Sequence, residues 1–209
     1  MKKLISIAAI ILGCALFTAC NTATAENSGK SRFEGLKCVK NHTAEKVDFV
    51  DTFEDLENIS ELIVEGEFID DSEIVYEEYS YNYSIQKDLL VRVVSSCPMK
   101  ITKVYSGDAK AGDIINVLQE EGIHNDRFIA HTMLTPMQKG DEWVFCLGHS
   151  RSENYDGYWC VADHKGRYPA KNSGSNEVMC FSDYPELGVY ERSDFQEEFY
   201  NKLVEKYGI

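Results

Sequence analysis

Seven cysteines and five histidines are the residues of this 209-residue chain whose types suit nucleophilic, redox or metal chemistry. Their spacing speaks against all three. His42, His124, His131, His149 and His164 form neither His-x-x-x-His nor His-Glu-x-x-His, the patterns that set two imidazoles on one helical face around zinc. No Cys-x-x-Cys occurs, so a zinc ribbon or a thioredoxin-type pair lacks its ligands. A thiol nucleophile would need a histidine beside Cys97, Cys146 or Cys160, a contact between distant positions that spacing does not establish. Gly-x-Ser-x-Gly, phosphate-loop and dinucleotide motifs are missing from the sequence. The expectation is no enzyme, no cofactor and no metal. Asp70, Asp71, Glu73, Glu77 and Glu78 lack the spacing of an EF-hand and read as a solvated turn, and Glu120-Glu121 reads as surface.

The amino end carries a different chemistry. Met1-Lys2-Lys3 is followed by an apolar run over residues 4–17 and then by Thr18-Ala19-Cys20. A membrane-crossing helix needs roughly twenty apolar residues, so this run is short for a span and suits an export signal. Small residues before a cysteine resemble the bacterial lipoprotein box, in which that cysteine receives a diacylglyceryl group and becomes the mature amino terminus. The resemblance implies a signal peptide over 1–19 and lipidation at Cys20, with Phe17 standing where such boxes usually hold an aliphatic residue. Two other readings stay open. Ile11-Leu12-Gly13-Cys14 is a second, poorer box, and Ala23-Thr24-Ala25 would serve an ordinary signal peptidase and release a soluble protein.

Charge fits the anchor. The 21 basic and 35 acidic side chains give net −14, which excludes a nucleic-acid binder, since phosphates are held by basic groups. Removing residues 1–19 takes away Lys2 and Lys3 and no acid, leaving 19 basic against 35 acidic groups, net −16. Anionic lipid repels such a body. Membrane attachment then falls to acyl chains, each buried methylene giving about 0.8 kcal/mol and two chains sufficing for stable anchoring. The expected location is the extracytoplasmic face of the cell membrane.

Residues 20–45 are small, polar and aperiodic and read as a flexible tether, with Cys38 and His42 as loop residues near its end. The folded domain is expected over 46–209. Lys46-Val-Asp-Phe-Val50 suits a short strand. Thr52 followed by Phe53-Glu54-Asp55 has the form of a capping box, and Phe53, Leu56 and Ile59 recur at helical spacing, which predicts a helix over 53–60. Leu62-Ile-Val-Glu-Gly-Glu-Phe-Ile69 is a strand with a bulge or bend at Gly66, ended by the turn Asp70-Asp71-Ser72-Glu73. Alternating apolar positions run through Tyr79, Tyr81, Tyr83 and Ile85, then Leu89, Val91 and Val93, then Cys97, Met99 and Ile101 into Val104-Tyr105. Ile115 and Val117, residues 143–147 and residues 158–162 complete a set of strands separated by Gly, Asp and Ser turns. Such a set makes a compact antiparallel sheet or barrel. At the carboxyl end Ser193 and Gln196 form a capping box, Phe195, Phe199, Leu203 and Tyr207 recur about every four residues, and Gly208 is the stop.

Two features of this pattern are candidate sites. Cys14 leaves with the signal and Cys20 takes lipid, so Cys38, Cys97, Cys146, Cys160 and Cys180 remain, an odd number that cannot all pair within one chain. A hairpin centred on residue 153 would set Cys146 opposite Cys160, where a disulfide could cross adjacent strands; reduced thiols buried in the core are the alternative. Tyr79, Tyr81 and Tyr83 fall on one face of an extended segment. They form either part of the core or an exposed platform for sugar rings or a protein partner, because tyrosine joins apolar area to a hydrogen-bonding tip. Trp143 and Trp159 read as core.

The succession over residues 52–168 has a further likeness. Leu-Ile-Val-Glu-Gly-Glu-Phe, Lys103-Val-Tyr-Ser-Gly-Asp108, Gly112-Asp-Ile-Ile-Asn-Val117, Lys139-Gly-Asp-Glu-Trp-Val-Phe-Cys-Leu147, Tyr158-Trp-Cys-Val161 and Gly166-Arg-Tyr168 follow in that order. It resembles small uncharacterised lipoproteins of Gram-positive bacteria and, distantly, the netrin-like barrel of tissue inhibitors of metalloproteinases. The resemblance implies a mainly β (α+β) fold: a five-stranded antiparallel barrel of the OB/netrin type with a short N-terminal helix and a C-terminal helix. Those inhibitors grip a catalytic zinc through the free amine of an N-terminal cysteine. An acylated Cys20 on a tether has no such amine, and fold alone does not carry activity. The functional expectation is a lipid-anchored binding protein of the envelope whose ligand is a protein or a glycan. A peptidase inhibitor of netrin-like fold and, more weakly, a thiol enzyme are the alternatives.

Overall fold

Thr52 starts the first helix by the chemistry its neighbours suggest. Its hydroxyl accepts from the Asp55 N–H at 3.1 Å, and the Asp55 carboxylate accepts from the Thr52 N–H at 3.0 Å, so two orphan donors are satisfied reciprocally at the start of α1 (Phe53–Ile59). Phe53 and Leu56 are buried, whereas Ile59, expected on the same face, is exposed. The computed structural model describes residues 32–33, 35–41, 50–131, 136–162, 166–170 and 194–209. The expected signal segment, Cys14, Cys20, His42, residues 46–49, His164, Cys180 and Ser193 lie outside the described residues.

The strands are β1 (Lys37–Asn41), β2 (Leu62–Phe68), β3 (Glu73–Asn82), β4 (Lys87–Ser106), β5 (Ile114–Gln119), β6 (Gly122–His124), β7 (Arg127–His131), β8 (Glu142–His149), β9 (Tyr158–Cys160) and β10 (Arg167–Pro169). Five of them close a ring in the order β2–β4–β5–β9–β8 and back to β2. The fold is therefore mainly β with a closed five-stranded barrel and two helices, compatible with an OB-like barrel. The barrel is mixed, which corrects the antiparallel expectation: β5 and β9 run parallel, Val117 opposite Tyr158 and Leu118 opposite Trp159. After β5 the chain passes through β6, β7 and β8 before it reaches β9, and a long crossover, unlike a tight hairpin, returns a strand in the same direction. Closure removes the unpaired edges that an open sheet would leave.

Two apolar cores lie on either side of β8. Val64, Phe68, Cys97, Met99, Ile101, Val117, Trp143, Phe145 and Leu147 fill the barrel. Ile63, Val144, Cys146 and Tyr168 pack outside it with Phe53 and Leu56 of α1 and with Phe199 and Leu203 of α2 (Asp194–Tyr207). Burial on both faces explains why residues 143–147 are an unbroken apolar run without alternation. Gly66 meets its expectation. The ladder with β4 shifts register between Glu65 and Gly66, and a Cβ at Gly66 would lie 2.8 Å from the Met99 Sδ. Gly208 ends α2 at φ +68°, its N–H donating to the Val204 carbonyl at 2.9 Å.

Where the tether was expected, β1 pairs in parallel with β7, and Cys38 is buried with Phe33 and Phe128. The compact unit runs Phe33–Ile209 and so begins before residue 46. Five residues alternating Lys, Cys, Val, Lys and Asn leave little apolar periodicity, and the partner strand is ninety residues away.

Leu203 is fully buried between α1 and the barrel, so Leu203→Ala lowers stability by about 2–5 kcal/mol in urea unfolding. Gly107 sits at φ +99° with an added Cβ only 2.2 Å from the Glu61 carbonyl, so Gly107→Ala is destabilising by upwards of about 1–3 kcal/mol in the same measurement.

Candidate functional site

β4 is twenty residues long, and only residues 95–106 pair with the barrel strands β2 and β5. Residues 87–94 pair with β3 alone. The excess length makes a two-stranded ribbon, closed by a loop over 83–86 in which Asn82 Oδ1 accepts from the N–H groups of Ser84 (3.0 Å) and Ile85 (3.3 Å). Gln86 completes the reversal at φ +55°.

The ribbon carries the tyrosines. Tyr79 is 51% exposed, Tyr81 48% and Tyr83 85%; Ile85, in the same loop as Tyr83, is exposed as well, and exposed Leu89, opposite Ser80, lies on the other face of the ribbon. The platform reading thus gains the exposure it needs, although Tyr83 lies in the loop and not in the strand. Tyr81 and Tyr83 meet edge to face with ring centres 5.0 Å apart. The Tyr79 hydroxyl donates to Glu77 Oε2 at 2.7 Å, and Glu77 Oε1 lies 2.9 Å from His124 Nδ1 on β6. The Tyr79 hydrogen bond, with a smaller contribution from His124 and against the effect of burial, holds the Glu77 carboxyl below its usual range. The same bond pushes the Tyr79 hydroxyl up.

At its root the ribbon is gripped by a second aromatic group. Tyr76 lies 5.5 Å from Tyr155 of the β8–β9 loop, and Tyr155 lies 5.9 Å from Trp159. The Arg92 guanidinium sits 6.0 Å from the centre of the Trp159 ring and is paired with Glu120. Trp159 is therefore half-buried against the ribbon, while Trp143 occupies the barrel interior as expected. Tyr158 and Cys160 flank Trp159 and pack toward the barrel.

The cysteine pair is not brought together. No disulfide joins Cys146 to Cys160. The β8–β9 hairpin sets Leu147 opposite Cys160, one residue away from the expected register, and Cys146 belongs to the helix-facing core while Cys160 packs toward the barrel. A one-residue slip sends side chains to opposite faces. Burial pushes the Cys146 thiol up to about 12, with a hydrogen bond from Ser60 opposing, so it stays neutral. Among the described residues no group of three or more His, Cys, Asp or Glu is placed to hold a metal ion, and no helix is long and apolar enough to cross a membrane.

Glu121 corrects the surface reading. It is 2% exposed, and among the described residues neither carboxylate oxygen has a hydrogen-bond partner. Ser95 and Gln119, paired across β4 and β5, are buried with it, and Gln119 Oε1 accepts from the Met137 N–H at 3.2 Å. Burial pushes the Glu121 carboxyl up to about 8 against the attraction of Arg167. Two adjacent glutamates look alike in sequence, and only the turn from β5 into β6 separates Glu120, on Arg92, from Glu121, turned inward.

No family model, no curated protein and no solved structure matches this chain.

A carboxyl raised in the fold from 4.5 to about 8 keeps its proton when the unfolded chain has lost it. Its contribution is full below pH 4.5 and is lost as pH rises toward 8, with a slope of up to about 1.4 kcal/mol per pH unit. Denaturant unfolding across pH 5–8.5 is expected to show Glu121→Gln with a shallower decline than the parent and higher stability at the alkaline end.

Proposed function

We propose that this chain is a lipid-anchored, non-enzymatic binding protein of the bacterial envelope, held at the extracytoplasmic face through Cys20, with the β3–β4 ribbon as its binding surface for a protein or a glycan. The exposure of Tyr79, Tyr81 and Tyr83 on a ribbon standing off the barrel carries this reading. Monomeric proteins seldom present contiguous apolar area without a use for it, and tyrosine supplies contact area at low entropy cost together with a hydroxyl that keeps it wettable. The closed five-stranded ring agrees with the netrin- or OB-type likeness, in which loops and strand faces on one side of the barrel serve as ligand platforms. The Tyr76–Tyr155–Trp159 contacts fix the ribbon root and so limit the entropy lost when a ligand docks.

For the anchor, the net charge of −14 leaves acyl chains as the attachment. Cys20→Ala is expected to move the protein from the membrane to the soluble fraction; retention equal to the parent would overturn lipidation at this cysteine.

For the surface, a variant combining Tyr79→Ser, Tyr81→Ser and Tyr83→Ser is expected to lose at least about tenfold in binding to immobilised envelope extract, as loss of aromatic anchors does. The three side chains are about half exposed or more, so each substitution costs no more than about 1 kcal/mol and the variant stays folded. Unchanged binding by a folded triple variant would remove the ribbon from the function.

A further inference from the structure

We infer that the unpaired edge of the β3–β4 ribbon is a docking rail for an extended, lysine- or arginine-rich polypeptide segment, which adds to it as a further strand. The inference rests on the reading of the ribbon as the binding surface and names the class of its partner.

Main-chain chemistry comes first. β3 pairs only with β4, so among the described residues the other edge of β3 has no ladder partner. A row of free N–H and C=O groups is a template for another strand. The ladder shifts register at Ile74/Tyr76 and Glu78/Tyr79, and beyond the second shift residues 79–82 face 90–87 in unbroken register. The regular, template-like stretch is thus the part that carries Tyr79 and Tyr81. Side chains of an added strand fall alternately on the two faces, so every second residue of the partner would lie beside these rings.

Charge selects the partner. Sheet edges are commonly protected by lysine, proline or inward-pointing charge. Residues 73–90 contain no proline and one base, Lys87, against the acids Glu73, Glu77, Glu78 and Asp88. Glu77 is engaged by Tyr79 and His124, whereas Glu73, Glu78 and Asp88 are exposed and have no ion-pair partner among the described residues. An acidic edge on a chain of net −14 repels a second copy of the same chain. It attracts a basic segment and gives that segment partners for its charges.

The test uses the full-length chain in nonionic detergent and a fluorescent peptide of about ten residues alternating lysine and valine, with anisotropy as the readout. Its expected affinity is at least about tenfold above that of the matching glutamate/valine peptide. In an added strand alternate amides point to the rail, so N-methylation of one alternate set is expected to lower affinity at least about tenfold and of the other set to matter little. Glu78→Lys combined with Asp88→Lys is expected to cost at least about tenfold, and Glu54→Lys combined with Glu205→Lys, on the two helices, less than about threefold. Equal losses from ribbon and helix charge reversal, or indifference to both methylated sets, would show general attraction to an acidic body and overturn the rail. If soluble peptidoglycan fragments bind in a Tyr79/Tyr81/Tyr83-dependent way and the lysine peptide does not, the polypeptide partner is overturned while the tyrosine surface stands. If no probe depends on those tyrosines, the rail and the surface fall together.

Discussion

Strand β8 has to bury side chains on both of its faces, and the rest of the molecule is arranged around that constraint. Trp143, Phe145 and Leu147 enter the barrel, while Val144 and Cys146 enter the helix-facing core. Each large apolar side chain taken fully from water contributes about 1.5–3 kcal/mol, but a strand so enclosed has no water for its own backbone groups. Both edges of β8 are therefore occupied: β2 covers one, and β9 and then β10 cover successive parts of the other. The same requirement brings α2 back from the far end of the chain. Phe199 meets Phe53 edge to face, and Lys206 and Tyr207 both donate to Glu57, tying the second helix to the first.

The ribbon is what this arrangement leaves over. A small five-stranded barrel has room for little more than half of β4; of the remainder, Val93 and Val94 are buried at the root and residues 87–89 are exposed. They are stabilised by pairing with β3 and by contacts at the root, where Arg92, Trp159, Tyr155 and Tyr76 join the ribbon to the β8–β9 loop. Beyond the root, residues 77–81 and 83–89 are exposed and draw little from burial, so the tip belongs to the low-stability end of the structure. The tyrosines at that tip add contact area where the fold itself needs none.

Legibility followed the range of the interaction. The capping box of α1, the bulge at Gly66 and the stop at Gly208 were all readable, since each depends on residues within about four positions or on one backbone conformation. Glu121 was not: its neighbours in sequence are polar, and its burial comes from elements distant in sequence. The Cys146–Cys160 reading failed by one residue of register, which is enough to send two thiols to opposite faces of a sheet. β1 was missed because its pairing partner is far along the chain and its own composition is mostly polar.

By itself the sequence determined that the chain is acidic, mainly β, lacking the spaced ligands of a zinc site, and alternating in its tyrosines, because composition and period-two patterning are local properties of the string. Tertiary structure alone decided that β5 and β9 run parallel, that Glu121 is inside and Glu120 outside, and that the tyrosine face looks to solvent. Alternation states which residues share a face and is silent about what lies opposite. That is settled only when closure of the barrel determines how much of β4 is used and how much is left over.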